Sequence, residues 1–105
     1  MLLGLSVRFE LIDEDAAAGF DDLVARTLPL IKTEEPGTLL YIVNTVEDAP
    51  LSRVFNEIYA SPEAFESHER QPHVQTFLAE RGRYVESYQV DRLRPTDGKG
   101  LISGD

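Results

Sequence analysis

The sequence predicts an α+β fold in which an antiparallel sheet carries helices on one face. Three observations predict it. The hydrophobic period changes between about two and about 3.6 residues along the chain, the segments follow in the order β-α-β-β-α-β, and the central two strands are joined by a short connection. The length of 105 residues is that of one domain, and no internal repeat is present.

The first strand and the first helix come at the beginning of the chain. Residues 5–12 alternate, with Leu5, Val7 and Phe9 on one side, and this period of two predicts a strand. The segment Asp13-Glu14-Asp15 then offers an N-cap residue and first-turn acids for a helix. The apolar stripe of this helix consists of Phe20, Leu23, Val24, Thr27, Leu28 and Ile31.

The middle of the chain predicts the end of this helix and two strands. Pro29 deletes one backbone hydrogen bond, so the helix should kink or loosen there. It must stop before Pro36-Gly37, which is typical of a turn. Residues 38–46 are rich in β-branched and aromatic types and predict a strand. Residues 48–50 are expected to form a loop, and residues 52–60 the next, antiparallel strand.

The C-terminal part predicts a broken helix and a fourth strand. Ser61-Pro62 is a typical helix start, because Ser is a good N-cap and Pro suits the first helical position. This short helix should run to about Glu69. Gln71-Pro72 restarts a helix that Gly82 ends, and residues 84–93 predict the last strand.

These elements compose a ferredoxin-like domain, residues 1–94, followed by a flexible C-terminal tail, residues 95–105. The strand at 38–46 is apolar on both sides, with Ile42 on one and Tyr41 on the other. A sheet that is apolar on both faces must bury both. Helices can cover one face, so we expect a second copy of the chain to cover the other, as a homodimer with facing sheets.

The composition excludes several classes of function. The 10 basic and 19 acidic residues give a net charge of −9, which argues against binding nucleic acid or an anionic membrane surface. Without cysteine, the chain has no disulfide, thiol catalysis or zinc–thiolate site. The apolar start, Met1–Leu5, is too short for a signal peptide, and no segment reaches the roughly 20 apolar residues of a membrane span. A cytoplasmic location is therefore expected.

A series of short motifs carries a resemblance to a known family. They are Glu35-Pro36-Gly37-x-x-x-Tyr41, Glu57-x-Tyr59 and Ser61-x-x-Ala64-Phe65-x-x-His68-x-x-x-Pro72-His73. In their order and spacing they resemble the antibiotic biosynthesis monooxygenase family, over roughly residues 5–93. The resemblance implies a dimeric α+β barrel. It also implies one of three functions: oxidation of quinols or anthrones without metal or bound cofactor, haem degradation, or no known activity.

Departures from the family's pattern narrow this choice. The chain has no Trp, and Tyr59 stands at about the position of the family's pocket Trp. Phe55 stands where the cofactor-free oxygenases of the family have an Asn. The haem-degrading members also need an Asn on the first strand, which residues 6–12 lack. The resemblance therefore implies an aromatic oxygenase or an inactive member, and not a haem-degrading enzyme.

The two histidines, His68 and His73, are the candidate chemical groups. His68 follows Phe65 by three positions, on the helix face that should meet the sheet, where an imidazole can take a proton from a phenol or an anthrone. The alternative is a structural His that bonds a carbonyl or a carboxylate. His73 is either a second pocket group or a turn residue. A metal would need a further ligand, and the helix break rules out i, i+4 zinc geometry, so no metal site is predicted.

Aromatic side chains are expected to form the pocket walls. The predicted substrate-binding residues are Tyr59, Phe55, Phe65, Phe77 and His73. For Tyr41, ordinary packing against the sheet is the favoured interpretation. Glu57 lies amid apolar strand residues, so a structural salt bridge with Arg8 or Arg92 is expected. The Glu34-Glu35 pair is expected to be solvated.

The leading hypothesis is a cofactor-independent monooxygenase that oxidises a small electron-rich aromatic with O₂, with His68 as the base or orienting group. No cofactor is required, because the deprotonated substrate supplies the electrons. Two alternatives stay open. One is a non-catalytic dimer that binds a small hydrophobic molecule, and the other is a cofactor-free isomerase or lyase that uses His68 for proton transfer.

Overall fold

The computed structural model describes residues 1–100 and has the predicted order of elements. The elements are β1 (Leu3–Leu11), α1 (Glu14–Glu34), β2 (Thr38–Val46), β3 (Ala49–Tyr59), α2 (Pro62–Arg70), α3 (Pro72–Glu80), a short 3₁₀ turn (Arg81–Arg83) and β4 (Val85–Leu93). The ferredoxin-like α+β class and the break in the second helix are therefore confirmed.

The four strands form one antiparallel sheet in the order β2-β3-β1-β4. The helices cover one face, and the core lies between them and the two central strands. Phe9 of β1 is the centre of an aromatic cluster, with its ring centroid 5.1 Å from that of Phe20 and 4.9 Å from that of Phe55. The predicted alternation of β1 is confirmed, because Leu5, Val7 and Phe9 are all buried.

The predicted helix starts are confirmed by their caps. The Asp13 carboxylate accepts a hydrogen bond from the Ala16 backbone N–H at 2.8 Å, at the start of α1. The Ser61 hydroxyl accepts one from the Ala64 backbone N–H at 3.0 Å, with a proline at the first position of α2. Helix α1 continues through Pro29 to Glu34 as one helix of 21 residues, so the proline does not end it.

Two predicted boundaries were wrong. Strand β3 begins at Ala49 and not at residue 52, because the β2–β3 connection is a tight turn at Glu47-Asp48 in which Asp48 has a φ of 63°. Asp tolerates this left-handed conformation, so a tight turn replaces the expected loop of residues 48–50. Strand β1 begins two residues earlier than expected, since Leu3 pairs with Tyr59.

The chain beyond β4 contains neither helix nor strand over residues 94–100. The predicted tail of residues 95–105 lies partly outside the described residues, which end at residue 100. Within residues 1–100, no helix is long and apolar enough to cross a membrane.

The face of the sheet that points away from the helices is uncovered. Ile42 of β2 and Leu93 of β4 are each 47% exposed on it. On the same face, the Asn44 side-chain amide of β2 donates a hydrogen bond to Asn56 Oδ1 of β3 at 2.9 Å. Within the described chain, the apolar residues of this face are left half-buried or exposed.

The turn between α1 and β2 is packed tightly against α2. A Cβ at Gly37 would lie 2.7 Å from the Cβ of Ala64, closer than two carbon atoms can approach. The Gly37 carbonyl also accepts a hydrogen bond from the Ala60 backbone N–H at 2.9 Å, next to the start of α2. Gly37 is therefore required because of this close approach.

We expect Gly37→Ala to lower the free energy of unfolding by about 1–3 kcal/mol, since the added methyl group must displace α2 or the turn. Urea unfolding measures the change. Gly82→Ala is the matched control, because nothing lies within 4 Å of a Cβ at that position. A loss of stability no larger in Gly37→Ala than in Gly82→Ala would contradict the tight contact.

Candidate active site

A cavity of about 260 Å³ lies between the sheet and the helices. Its walls are mainly apolar and include Phe55, Phe65 and Phe77. The polar side chains that line it are Thr27, Tyr41, Glu57, His68, Glu69, Arg81, Tyr88 and Arg92. An apolar cavity with a few convergent polar groups is the usual form of a site for a small molecule.

One carboxylate holds both histidines of the chain. Glu35 Oε1 lies 2.5 Å from His68 Nδ1, and Glu35 Oε2 lies 2.5 Å from His73 Nε2. The Glu35 side chain is only 3% exposed. Each ring faces a different oxygen, so the three groups bond one another and do not converge on a common point. Within residues 1–100, no group of three or more acidic or His side chains is arranged to hold a metal ion.

The backbone places Glu35 at the C-terminal end of α1, where a carboxylate is disfavoured by the helix dipole. Local bonds hold it there. The Thr38 hydroxyl donates to Glu35 Oε1 at 2.7 Å, and the Thr38 backbone N–H donates to the Glu35 carbonyl at 3.1 Å. The Gly37–Ala64 contact brings α2, and with it His68, against this turn.

The contact with Glu35 determines how His68 faces the cavity. A carboxylate accepts hydrogen bonds, so this contact assigns the donor role to Nδ1 of His68 and leaves Nε2 as the ring nitrogen that can accept a proton. Nε2 has no hydrogen-bond partner within residues 1–100, whereas every fully buried side-chain nitrogen or oxygen in that range has one. Nε2 is therefore accessible, and since His68 lines the cavity, we infer that Nε2 opens on it.

A second ionisable group lies in the same cavity. Glu57 is 6% exposed, and its Oε1 accepts a hydrogen bond from the Tyr59 hydroxyl at 2.5 Å. Burial raises the pKa of Glu57 to about 7; the Tyr59 bond opposes this rise, and the charges of Glu35 and Glu69 add to it. Burial, followed by the charge of Glu57, also raises the pKa of the Tyr59 hydroxyl.

Tyr41 lies beside both groups. Its ring centroid is 5.7 Å from that of His68, and in the sheet register it lies opposite Glu57. Burial raises the pKa of the Tyr41 hydroxyl well above its ordinary value, with the charges of Glu57 and Glu35 adding to the rise. The hydroxyl makes no hydrogen bond within residues 1–100, so it is available to a molecule in the cavity.

The structure separates the predicted site residues into two groups. His68, Phe55, Phe65 and Phe77 all line the cavity. Tyr59 and His73 are not among its described lining residues. Tyr59 is fully buried behind the cavity wall, with its ring centroid 5.1 Å from that of His68, and His73 contacts Glu35 from α3.

Two expectations about acidic residues were wrong. Glu35 is buried and hydrogen-bonded, not solvated. Its place at the C-terminal end of a helix, where the helix dipole disfavours a carboxylate, was the feature of the sequence that could have indicated special partners. Glu57 forms no ion pair with Arg8 or Arg92 in the described chain. Arg8 pairs with Glu10 at 2.7 Å, and the Arg92 guanidinium lies 5.6 Å from the centroid of the Phe65 ring.

Comparisons with known proteins agree with this architecture. Residues 3–80 match the model of a family described as antibiotic biosynthesis monooxygenase. Among curated proteins, none matches the sequence significantly. Rv0793 from Mycobacterium tuberculosis is similar in structure, with 23% identity and a TM-score of 0.86 over 95% of this chain and 100% of that one.

Two further solved structures are similar in fold. SnoaB from Streptomyces nogalater, a cofactor-independent oxygenase, has 18% identity and a TM-score of 0.78 over 92% of this chain and 95% of that one. SO0527 from Shewanella oneidensis has 22% identity and a TM-score of 0.79 over 88% of each chain. At these identities the likeness shows the fold.

We expect Glu35→Ala to lower the free energy of unfolding by about 2 kcal/mol or more, because two imidazole N–H groups and the Thr38 hydroxyl lose their acceptor. Glu34→Ala, at the exposed neighbouring position, should change it by no more than about 0.5 kcal/mol. Urea unfolding of the two variants measures the difference. Equal effects would mean that the buried contacts contribute nothing.

Proposed function

This chain belongs to the antibiotic biosynthesis monooxygenase family, and we propose that it is a cofactor-independent monooxygenase that oxidises a small electron-rich aromatic, such as a quinol or an anthrone, with O₂. The observation that carries the proposal is that His68 lines a mainly apolar cavity while Glu35 holds its Nδ1 at 2.5 Å. A carboxylate behind an imidazole orients the ring and stabilises the imidazolium formed when the ring accepts a proton.

The proposed chemistry needs few protein groups. His68 Nε2 removes a proton from the bound quinol or anthrone, and the resulting anion passes one electron to O₂. The substrate radical and superoxide then combine to form a carbon–oxygen bond. The walls formed by Phe55, Phe65 and Phe77 suit a flat apolar ring.

The size of the cavity and the comparison with SnoaB also support an oxygenase that acts on a small aromatic. A volume of about 260 Å³ lies just below the roughly 300–1,000 Å³ of typical ligand pockets, which favours a compact aromatic over a long polyketide chain. SnoaB is a cofactor-independent oxygenase, so this fold can house such chemistry.

A cofactor-free isomerase is the second candidate. The observation that favours it is that two titratable side chains, His68 and Glu57, line one cavity, as proton transfer between two carbons of a substrate requires. Turnover of a substrate under nitrogen would favour the isomerase. A non-catalytic binder would show neither oxygen uptake nor turnover.

We also propose that the protein is a homodimer through the uncovered face of the sheet. The apolar residues of that face are Leu40, Ile42, Val54, Ile58 and Leu93, all half-buried or exposed. A second copy would cover them and complete a barrel of two sheets. The helix-covered cavity lies on the opposite face, so the interface would leave His68 free to act.

We expect wild-type protein to accelerate O₂ uptake with anthrone or 1,4-naphthohydroquinone, and His68→Ala to lower the rate by about 100-fold or more, because general base catalysis contributes roughly that much. An oxygen electrode measures the rate. Ser67→Ala, at an exposed position on the same helix, should retain wild-type uptake. Equal rates in wild type and His68→Ala would reject His68 as the base.

We expect sedimentation velocity at micromolar concentration to give a dimer, and Ile42→Asp to weaken the association by about tenfold or more, since it places a charge in an apolar interface. Leu30→Asp is the matched control, because Leu30 is 44% exposed on α1, on the other side of the molecule. A folded wild-type monomer would refute the proposed interface.

A further inference from the structure

Among residues 1–100, Glu57 is the one buried carboxyl that lines the cavity, and the proposed oxygenation assigns it no role. Its Oε1 is occupied by the Tyr59 hydroxyl at 2.5 Å. Its Oε2 has no hydrogen-bond partner within residues 1–100. Every fully buried side-chain oxygen in that range has a partner, so Oε2 is not fully buried. Because Glu57 is only 6% exposed and lines the cavity, Oε2 opens into it.

The position of Glu57 brings it close to the proposed base. Tyr59, which bonds Glu57, packs its ring 5.1 Å from the ring of His68. Tyr41, which lies opposite Glu57 in the sheet, packs 5.7 Å from the same ring. A molecule in contact with His68 Nε2 therefore lies within the same group of side chains that surrounds Glu57.

Burial, and after it the charges of neighbouring carboxylates, favour the protonated form of Glu57. The titratable and charged side chains that line the cavity with Glu57 are Tyr41, His68, Glu69, Arg81, Tyr88 and Arg92, and Tyr59 and Glu35 act on it from outside that lining. Neither arginine forms an ion pair with Glu57 in the described chain, and two of the carboxylates repel its charge. Its pKa of about 7 means that a large fraction is neutral near neutral pH.

We propose that Glu57 is a second catalytic residue, which in its protonated form gives a proton to the peroxide that forms when O₂ adds to the substrate. This inference rests on the proposed oxygenation and assigns its second half. A neutral carboxyl in an apolar cavity is a proton donor that an ionised surface carboxylate cannot replace.

With an anthrone-type methylene as the substrate, the proposed reaction begins at the CH₂ carbon. His68 Nε2 takes one proton from the CH₂ carbon, and the carbanion and O₂ combine to give a CH–O–O⁻ group. The Glu57 carboxyl protonates the terminal oxygen, which gives CH–OOH and a Glu57 carboxylate. That carboxylate then removes the remaining proton from carbon, whose electron pair forms C=O as the O–O bond breaks. The departing hydroxide takes the proton from the His68 imidazolium, so CH₂ and O₂ become C=O and H₂O.

Two residues with opposite starting states explain why the cavity needs both. His68 begins as an acceptor and ends the first step as a donor, whereas Glu57 begins as a donor and becomes an acceptor. Glu57 returns to its starting state when it takes the second proton from carbon, and His68 returns to its own when the imidazolium protonates the departing hydroxide. The second half of the reaction should therefore depend on protonated Glu57 and slow as the pH rises through about 7.

The test compares anthrone oxidation by the wild type and by Glu57→Gln. Gln keeps the shape of the neutral carboxyl and an acceptor for the Tyr59 hydroxyl, but it cannot transfer a proton. O₂ uptake, anthraquinone absorbance and hydroperoxide are measured together, with the uncatalysed rates subtracted. In Glu57→Gln we expect O₂ uptake to continue while anthraquinone formed per O₂ falls by about tenfold, with the difference recovered as hydroperoxide.

The control is Glu66→Gln, which removes an exposed carboxyl from α2 outside the cavity lining and should keep the wild-type ratio of anthraquinone to O₂. A wild-type ratio in Glu57→Gln overturns the role of Glu57 and leaves the proposed function intact. Loss of O₂ uptake along with anthraquinone also overturns it, because the residue would then act before oxygen. Absence of O₂ uptake in the wild type overturns both proposals.

A measurement on the resting protein tests the protonation state without turnover. Carbon-13 NMR of glutamate carboxyls, assigned by comparison with Glu57→Gln, should give one carboxyl that titrates near pH 7. Titration of Glu57 in the ordinary range of a glutamate would overturn the inference, because the group would be ionised when the peroxide forms.

Discussion

The site depends on the burial of a single carboxylate at the end of α1. An ionised carboxyl removed from water is costly unless charged or polar partners bond it on every side. Glu35 meets this condition through His68, His73 and the Thr38 hydroxyl, which come from three different elements. Because the partners come from α2, α3 and β2, the hydrogen bonds to this one carboxylate hold the three elements in place.

The contacts of Glu35 explain why the chain breaks between α2 and α3. His68 lies near the end of α2 and His73 near the start of α3, and both rings meet the same carboxyl group. One continuous helix would place residues five apart on different sides. The turn at Gln71-Pro72 changes the direction of the chain so that both imidazoles return to Glu35.

The cavity shows how the core of a small domain accommodates polar groups. Its walls are largely aromatic and aliphatic, yet Glu57 lies there, and within residues 1–100 its side chain bonds only the Tyr59 hydroxyl. Keeping an ionisable carboxyl in such a place lowers the stability of the fold once the group ionises. Such a cost is characteristic of positions retained for chemistry. In the proposed reaction, Glu57 gives a proton to the peroxide while His68 still holds the proton that it took from the substrate.

The sequence by itself determined the elements and their order, because strand alternation, helix caps and turn residues act through neighbours along the chain. It also predicted six pocket residues from their inward faces, of which His68, Phe55, Phe65 and Phe77 line the cavity and Tyr59 and His73 do not. Only the tertiary structure decided the partners of Glu35 and Glu57. Those partners lie up to 38 positions away, and whether a carboxyl is solvated, paired with an arginine or bonded to an imidazole depends on which elements pack against it.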